Sequence, residues 1–244
     1  MIYKSPFKSN QICCISDIHI GVHQNGAQWH EIAINWAKWL RNELINKGIE
    51  DIIIAGDLFH YRDEIAVNTI QVVTEVLNIW KPFNIGILVG NHDSYYKDKV
   101  DVNSCSILSG WSNITIFSST TTIEHKNKKL TFCPWGTELY EIPDDSDIVF
   151  GHFEIETFKL NEFKTCIERK YKNGTILYLG NPFQMDFGDT NSTKGYYILD
   201  VNDKTYNFTE NKISPKHIKL TLSHLVKMGK LTDEIKNGIE NNIL

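Results

Sequence analysis

No stretch of this 244-residue chain approaches the roughly 20 consecutive apolar residues that a membrane-spanning helix needs, so no helical span is predicted. The start, Met1 to Asn10, lacks an apolar run followed by a small-residue cleavage site, which argues against a secretory signal. The five cysteines, Cys13, Cys14, Cys105, Cys133 and Cys166, contain no C-x-x-C pair, which removes the usual zinc and redox frameworks. Adjacent Cys13 and Cys14 should point to opposite faces of a strand, and all five read as reduced, mostly buried thiols of a cytoplasmic protein. No repeat, low-complexity tract or Gly/Ser linker divides the chain. An excess of basic residues is also missing: 25 Lys and Arg against 30 Asp and Glu leave a formal charge of −5. That balance argues against broad electrostatic attraction to nucleic acid, although a metal cluster can concentrate positive charge on an acidic surface.

What remains is an ordinary globular composition, 41% hydrophobic and 23% charged, in a chain long enough to bury a substantial core. Short apolar runs at Gln11 to Ser16, Asp51 to Ala55 and Asn84 to Val89 read as buried strands. Helical spacing of Ile32, Trp36, Trp39, Leu40 and Leu44 predicts a helix from Trp29 to Lys47, stopped by Gly48. Ile70, Val73, Leu77 and Trp80 predict another from Glu64 to Trp80. This β-α-β-α-β order implies a parallel sheet with right-handed crossovers. From Ile114 onward the segments crowd together, and Ile114 to Phe117, Thr121 to Glu124 and Lys129 to Pro134 read as hairpins rather than crossovers. Asp147 to Phe150, Thr175 to Leu179, Tyr196 to Val201 and Thr205 to Phe208 extend this β-rich half into a second sheet. One domain over residues 1–213 with a C-terminal extension, 214–244, holding one or two helices broken near Gly229, is the simplest organisation.

Four polar clusters each follow an apolar run: Asp17-Ile18-His19, Gly56-Asp57, Gly90-Asn91-His92-Asp93 and Gly151-His152. Any one alone is ordinary turn chemistry. Their ordered recurrence at strand ends is not, because residues just past the ends of parallel strands converge in one crevice. Asp17, His19, Asp57, Asn91 and His152 supply hard oxygen and imidazole ligands without cysteine, which suits Mn²⁺, Fe²⁺ or Zn²⁺ in an open catalytic site. Asp57, on the middle of the first three strands, is the natural bridge between two divalent ions. Such ions acidify water and offset phosphoryl charge, leaving the departing alkoxide in need of an acid. His92 is the candidate, with Asp93 expected to hold its ring in a useful tautomer. Tyr95, Tyr96 and Lys97 follow directly and could meet a nucleotide by stacking and charge.

With these residues in view, the chain resembles the calcineurin-like metallophosphoesterase superfamily. The clusters, with Gly56-Asp57-Leu58-Phe59-His60 written in full, follow that family's first four motifs. Asp17-Ile18-His19-Ile20-Gly21, the Phe59-His60 ending and Gly180-Asn181-Pro182-Phe183-Gln184-Met185-Asp186-Phe187 resemble the SbcD-type DNA nuclease branch, and within it bacteriophage recombination nuclease subunits. The resemblance covers Ile12 to Val201 and implies an α/β sandwich of two mixed β-sheets flanked by helices. It implies Asp17, His19 and Asp57 on one ion, Asp57, Asn91 and His152 on the other, and His92 as catalytic acid. It further implies two Mn²⁺ ions, exo- and endonuclease activity on DNA ends, an SMC-like ATPase partner of the SbcC type, homodimer formation, and work in the host cytoplasm.

The family's fifth motif, Gly-His-x-His, is absent: no histidine lies between Phe153 and Lys216. Each ion would keep three protein ligands, so weaker metal binding or loss of catalysis is expected. His23, His60, His217 and His224 are the histidines available to substitute, and His23 and His60 read first as neighbours of the ligands. In the extension, Lys216, Lys219, Lys227 and Lys230 read as a solvated face before they read as phosphate contacts. Two other readings stand beside the nuclease: a phosphoesterase for small phosphates, and a non-catalytic scaffold binding DNA or the ATPase.

Overall fold

The computed structural model describes residues 3–153, 167–171, 174–190 and 192–218, apart from the side chains of 167–171 and 174. The helices expected beyond Ser214, with His224, Lys219, Lys227 and Lys230, lie outside the described residues, as do residues 154–166 with Cys166.

Three consecutive isoleucines make β3 (Asp51–Ile54), because β-branched side chains suit a strand and a strand covered on both faces reads as one apolar run. It pairs in parallel with β2 (Gln11–Ile15) on one side and β4 (Asn84–Leu88) on the other. The connections are helices Ala27–Lys47 and Val67–Ile79. The second helix starts three residues later than its periodicity suggests, because Ala66 is extended (ψ 146°).

β5 (Ile114–Phe117) corrects the hairpin expectation: it pairs in parallel with β4 and continues the first sheet. A true hairpin follows, β6 (Thr121–His125) and β7 (Lys128–Cys133), turning through Lys126 and Asn127 at φ 49° and 62°. β8 (Ile148–Gly151) joins β7 in parallel, and β1 (Tyr3–Lys4) joins β6 in parallel. β9 (Ile167–Tyr171) and β10 (Gly174–Tyr178) form a separate antiparallel pair. β11 (Gly195–Asp200) and β12 (Thr205–Glu210), expected in the second sheet, instead return to the first, antiparallel beside β2. The larger sheet therefore runs β12-β11-β2-β3-β4-β5 and the smaller β1-β6-β7-β8, both mixed.

Alternation along the central strands divides the interior in two. Cys13, Ile15, Ile52, Ile54, Ile85 and Ile87 face the helices, against Trp36, Leu40, Val73, Leu77 and Trp80. Ile12, Cys14, Ile53 and Leu88 face the smaller sheet, against Phe117, Leu130, Phe132 and Phe150. Adjacent Cys13 and Cys14 thus belong to different cores, and burial pushes both thiols up, Cys14 to about 12. Across the helix layer the Trp36 and Trp80 rings meet edge to face at 5.5 Å, and Trp80 Nε1 donates to the Ala37 carbonyl. With both faces of the larger sheet covered, the ends of its parallel strands are where polar groups can gather. Among the described residues no helix is long and apolar enough to cross a membrane.

Candidate metal centre

The loops leaving β2 and β3 are laced together before any side chain acts. Asp17 N donates to the Gly56 carbonyl (3.1 Å), His19 N to Asp57 (3.0 Å) and Ile20 N to Leu58 (2.9 Å). Asp17, His19 and Asp57 take left-handed φ of 53°, 49° and 55°, uncommon for residues with a Cβ and concentrated where function demands a side-chain direction. Two glycines make the convergence possible. A Cβ on Gly56, itself at φ 100°, would lie 2.2 Å from His152 Nδ1, and one on Gly90 would lie 2.2 Å from Asp57 Oδ1.

The five expected ligands meet at the Asp57 carboxylate, which is 2% exposed. Its Oδ2 lies 3.5 Å from His19 Nε2 and 3.4 Å from His152 Nε2, while Oδ1 accepts from the His92 backbone N–H at 2.8 Å. Asp17 Oδ1 is 3.7 Å from His19 Nε2, and Asn91 Oδ1 is 2.8 Å from His152 Nε2. His152 Nδ1 faces the Ala55 carbonyl at 2.8 Å, so the proton sits on Nδ1 and the Nε2 lone pair joins Asn91 Oδ1 and Asp57 Oδ2. Converging lone pairs of this kind repel unless a cation lies among them, so the donor set fits a divalent ion. Without one, a proton does that work. Burial works against charge on His152, yet Asp57 overrides it and pushes the imidazole up to about 10. Burial likewise opposes the Asp57 charge, and His152, then His19 and His92, hold the carboxyl far below its usual range.

The linkage has a definite sign. Because the folded-state pKa of His152 is raised, the stability it contributes is complete below 6.5 and is lost as pH rises through about 10. Metal uptake at pH 7 to 8 must therefore expel this proton, and affinity should climb about tenfold per pH unit in that window. Calorimetry in buffers of different ionisation enthalpy reads the release directly; uptake with no proton release would contradict the assignment of His152.

His92 sits beside this group. Its Nδ1 lies 2.7 Å from the His60 carbonyl, which can only accept, so Nε2 is the free position. The ring stacks on His60 at 5.3 Å and 19°, and meets His19 edge-on at 4.7 Å. His60 Nδ1 is 3.4 Å from His19 Nδ1. Burial, then His19 and His92, hold His60 down to about 4, so it is neutral and can accept from His19 Nδ1–H. That leaves His19 Nε2 turned toward Asp17 and Asp57.

Asp93 corrects the expectation placed on it. The fully buried carboxylate accepts from the backbone N–H groups of Phe59 (2.9 Å) and Gly90 (2.9 Å), while the His60 carbonyl takes the His92 ring. It clamps the Asp57 loop to the Asn91 loop, and burial raises it to about 6. Tyr95 and Tyr96 are exposed, 50% and 41%, and the Lys97 carbonyl accepts from Trp135 Nε1. Trp135, whose ring is 6.3 Å from that of His152, had no signal in the sequence beyond its place after β7. His23 and His217 lie outside the ligand set: His23 Nε2 bonds the Met185 carbonyl, and His217 packs on Phe187.

Replacing Gly90 by alanine should force Asp57 from its position. The melting point is expected to fall by several degrees, for an overpacking penalty of about 1 to 3 kcal/mol, and metal affinity to fall with it. Thermal denaturation with and without Mn²⁺ checks both, and wild-type values in each would refute the crowding.

The sequence signature of the calcineurin-like phosphoesterase family matches residues 11–225. Exonuclease subunit 1 of Enterobacteria phage T4 is 24% identical over 229 residues, covering 82% of this chain and 68% of that protein. Among solved structures, an archaeal phosphodiesterase superposes with a TM-score of 0.50 at 14% identity, over 82% of this chain and 99% of its own, a likeness of fold.

Proposed function

This chain belongs to the calcineurin-like phosphoesterase family, and from that premise we propose that it is a metal-dependent phosphodiesterase acting on DNA, the nuclease subunit of a recombination complex driven by an SMC-like ATPase. The observation that supports this most is the meeting of Asp17, His19, Asn91 and His152 around one buried Asp57, with the free edge of His92 alongside.

Asp17, His19 and Asp57 would hold one divalent ion, and Asp57, Asn91 and His152 the other, with Mn²⁺ the metal suited to the oxygen and imidazole set. When bound, the ions supply Lewis-acid charge against the phosphoryl oxygens and acidify water. The chain's own residues do the rest. Asp57 turns Oδ2 toward both imidazoles, His19 and His152, while the His92 backbone N–H holds Oδ1 and fixes the orientation of the carboxylate. His60 and Ala55 carbonyls and the His60 ring set the tautomers of His92, His152 and His19. With both ring nitrogens protonated, His92 would give its Nε2 proton to the leaving 3′ or 5′ oxygen and return to the neutral ring that keeps its Nδ1–H on the His60 carbonyl. Asp93 keeps the two ligand loops in register. A phage relative named as an exonuclease subunit supports the nuclease substrate class.

Labelled single- and double-stranded DNA incubated with Mn²⁺ tests the reading, and cleavage that EDTA abolishes is the expected result. Hydrolysis of only a small chromogenic diester would move the substrate to small phosphates. A second reading, a DNA- or ATPase-binding scaffold, is favoured by one fact: no histidine between Phe153 and Lys216 can complete the metal shells. Retained DNA binding with no hydrolysis of any ester would select it.

A further inference from the structure

Beside the metal centre the backbone does something costly. His23, Gln24 and Asn25 take consecutive left-handed conformations, φ 53°, 59° and 58°, each less favourable than right-handed backbone for a residue with a Cβ. Strain of this kind persists where the surroundings over-determine it. Here they do: Gln24 N–H donates to the Tyr61 hydroxyl at 3.1 Å, and His23 Nε2 donates to the Met185 carbonyl at 2.6 Å. The outcome is a His23 ring laid on Trp29 at 4.4 Å and 25°, one face covered and the residue itself exposed.

The contacts continue in both directions. Inward, Tyr61 meets His60 at 4.7 Å, and His60 stacks on His92. Outward, Trp29 meets His217 at 6.1 Å, and His217 meets Phe187 at 5.0 Å. Phe187 is 65% exposed, yet it is not loosely held. Its turn is pinned by Asp189, which is fully buried, accepts from Met185 N–H at 2.8 Å and pairs with the buried Lys194 at 2.8 Å. A rigid, exposed phenylalanine and an imidazole with an open face thus stand on one chain of contacts leading to His92, in which the Gln24 N–H bond to the Tyr61 hydroxyl joins the outer rings to the inner ones.

We propose that this ledge, Tyr61, His23, Trp29, His217 and Phe187, is a stacking platform for the bases of an unpaired DNA strand entering the metal centre; the proposal rests on the nuclease reading and adds the form of substrate. Charge favours bases over phosphates as the handle. A net charge of −5 gives no overall attraction to a duplex backbone, and Lys216, next to His217, is already paired with Glu210 at 3.0 Å. Ring faces bind bases without charge, and bases offer those faces only when unpaired. The run of contacts toward His92 selects DNA over a protein partner, which would have no need of a ledge leading into the site.

The test uses the full chain in EDTA, so that binding is read without cleavage, and three fluorescent probes: a dT 12-mer, an abasic 12-mer of the same backbone, and a 12-base-pair duplex. Anisotropy should rank the dT strand about tenfold or more above both others. Phe187→Ala, at an exposed position, should lose about tenfold for dT and nothing for the abasic strand, with an unchanged melting point, and Phe187→Tyr should restore dT binding. Equal affinity for dT and abasic strands, unmoved by Phe187→Ala, would overturn the platform while leaving Mn²⁺-dependent DNA cleavage intact. Phe187→Ala that spares dT binding but releases a co-purifying protein would make the ledge a protein-docking face and also overturn it. No binding to any probe and no DNA cleavage, with a small diester still hydrolysed, would instead remove the nuclease reading, and the platform with it.

Discussion

Asp57→Ala is expected to lower metal-dependent phosphodiester hydrolysis by about 10⁴-fold, the largest effect of any single substitution in the chain. Among the described residues Asp57 is the side chain that reaches both imidazole groups, with Oδ2 3.5 Å from His19 and 3.4 Å from His152. Removing it would strip a shared ligand from both ions, and several kcal/mol of transition-state charge stabilisation correspond to three or four powers of ten in rate. The loss should also be visible without turnover. Relieved of its carboxylate partner, His152 should titrate well below its value of about 10, which NMR of the histidine ring reads directly. Calorimetry should show both metal-binding events weakened together. A variant that kept one ion at wild-type affinity would show that Asp57 does not bridge, and would sink the shared-ligand account.

His92→Ala comes next, with a loss of about 10² to 10⁴ in kcat on DNA, the range for a positioned acid. Its signature differs from that of Asp57. The free position is Nε2, since Nδ1 is committed to the His60 carbonyl at 2.7 Å, and the ring belongs to neither proposed ligand triad. Metal affinity should therefore stay within a few-fold of wild type. A p-nitrophenyl ester, whose leaving group needs no proton at neutral pH, should lose far less than DNA does. Equal losses on both substrates would mean that His92 positions the substrate or the ligands and transfers no proton.

Much of this site is legible in the order of residues alone. Asp17, His19, Asp57, Asn91 and His152 are each marked by position after an apolar run, and strand periodicity is a local property that the chain displays openly. The two faces of Cys13 and Cys14 follow from alternation, and the buried cores bear this out. Neighbouring residues mislead where chemistry depends on distance in space. Asp93 adjoins His92 in the chain, yet its carboxylate turns to the backbone of Phe59 and Gly90, while a carbonyl 32 residues away takes the imidazole proton. Phe187 closes a motif that marks the family but not its place beside His217, and Trp29 reads as packing, because an aromatic residue in a helix or a turn shows no other role until its neighbours are known.

The chain order of strands, the residue types at their ends and the missing histidines between Phe153 and Lys216 are properties of the sequence, and they carry the likeness to the family and the expectation of a ligand shortage. Which sheet each late strand would join was decided only by folding. β5 could have closed a hairpin, and β11 and β12 could have extended the smaller sheet; burial of apolar faces on both sides of the larger one placed them there instead. The same holds for protons. Side-chain identity offers each histidine two nitrogens, and only the carbonyls of Ala55 and His60, brought into contact by the packed loops, select which one faces the centre.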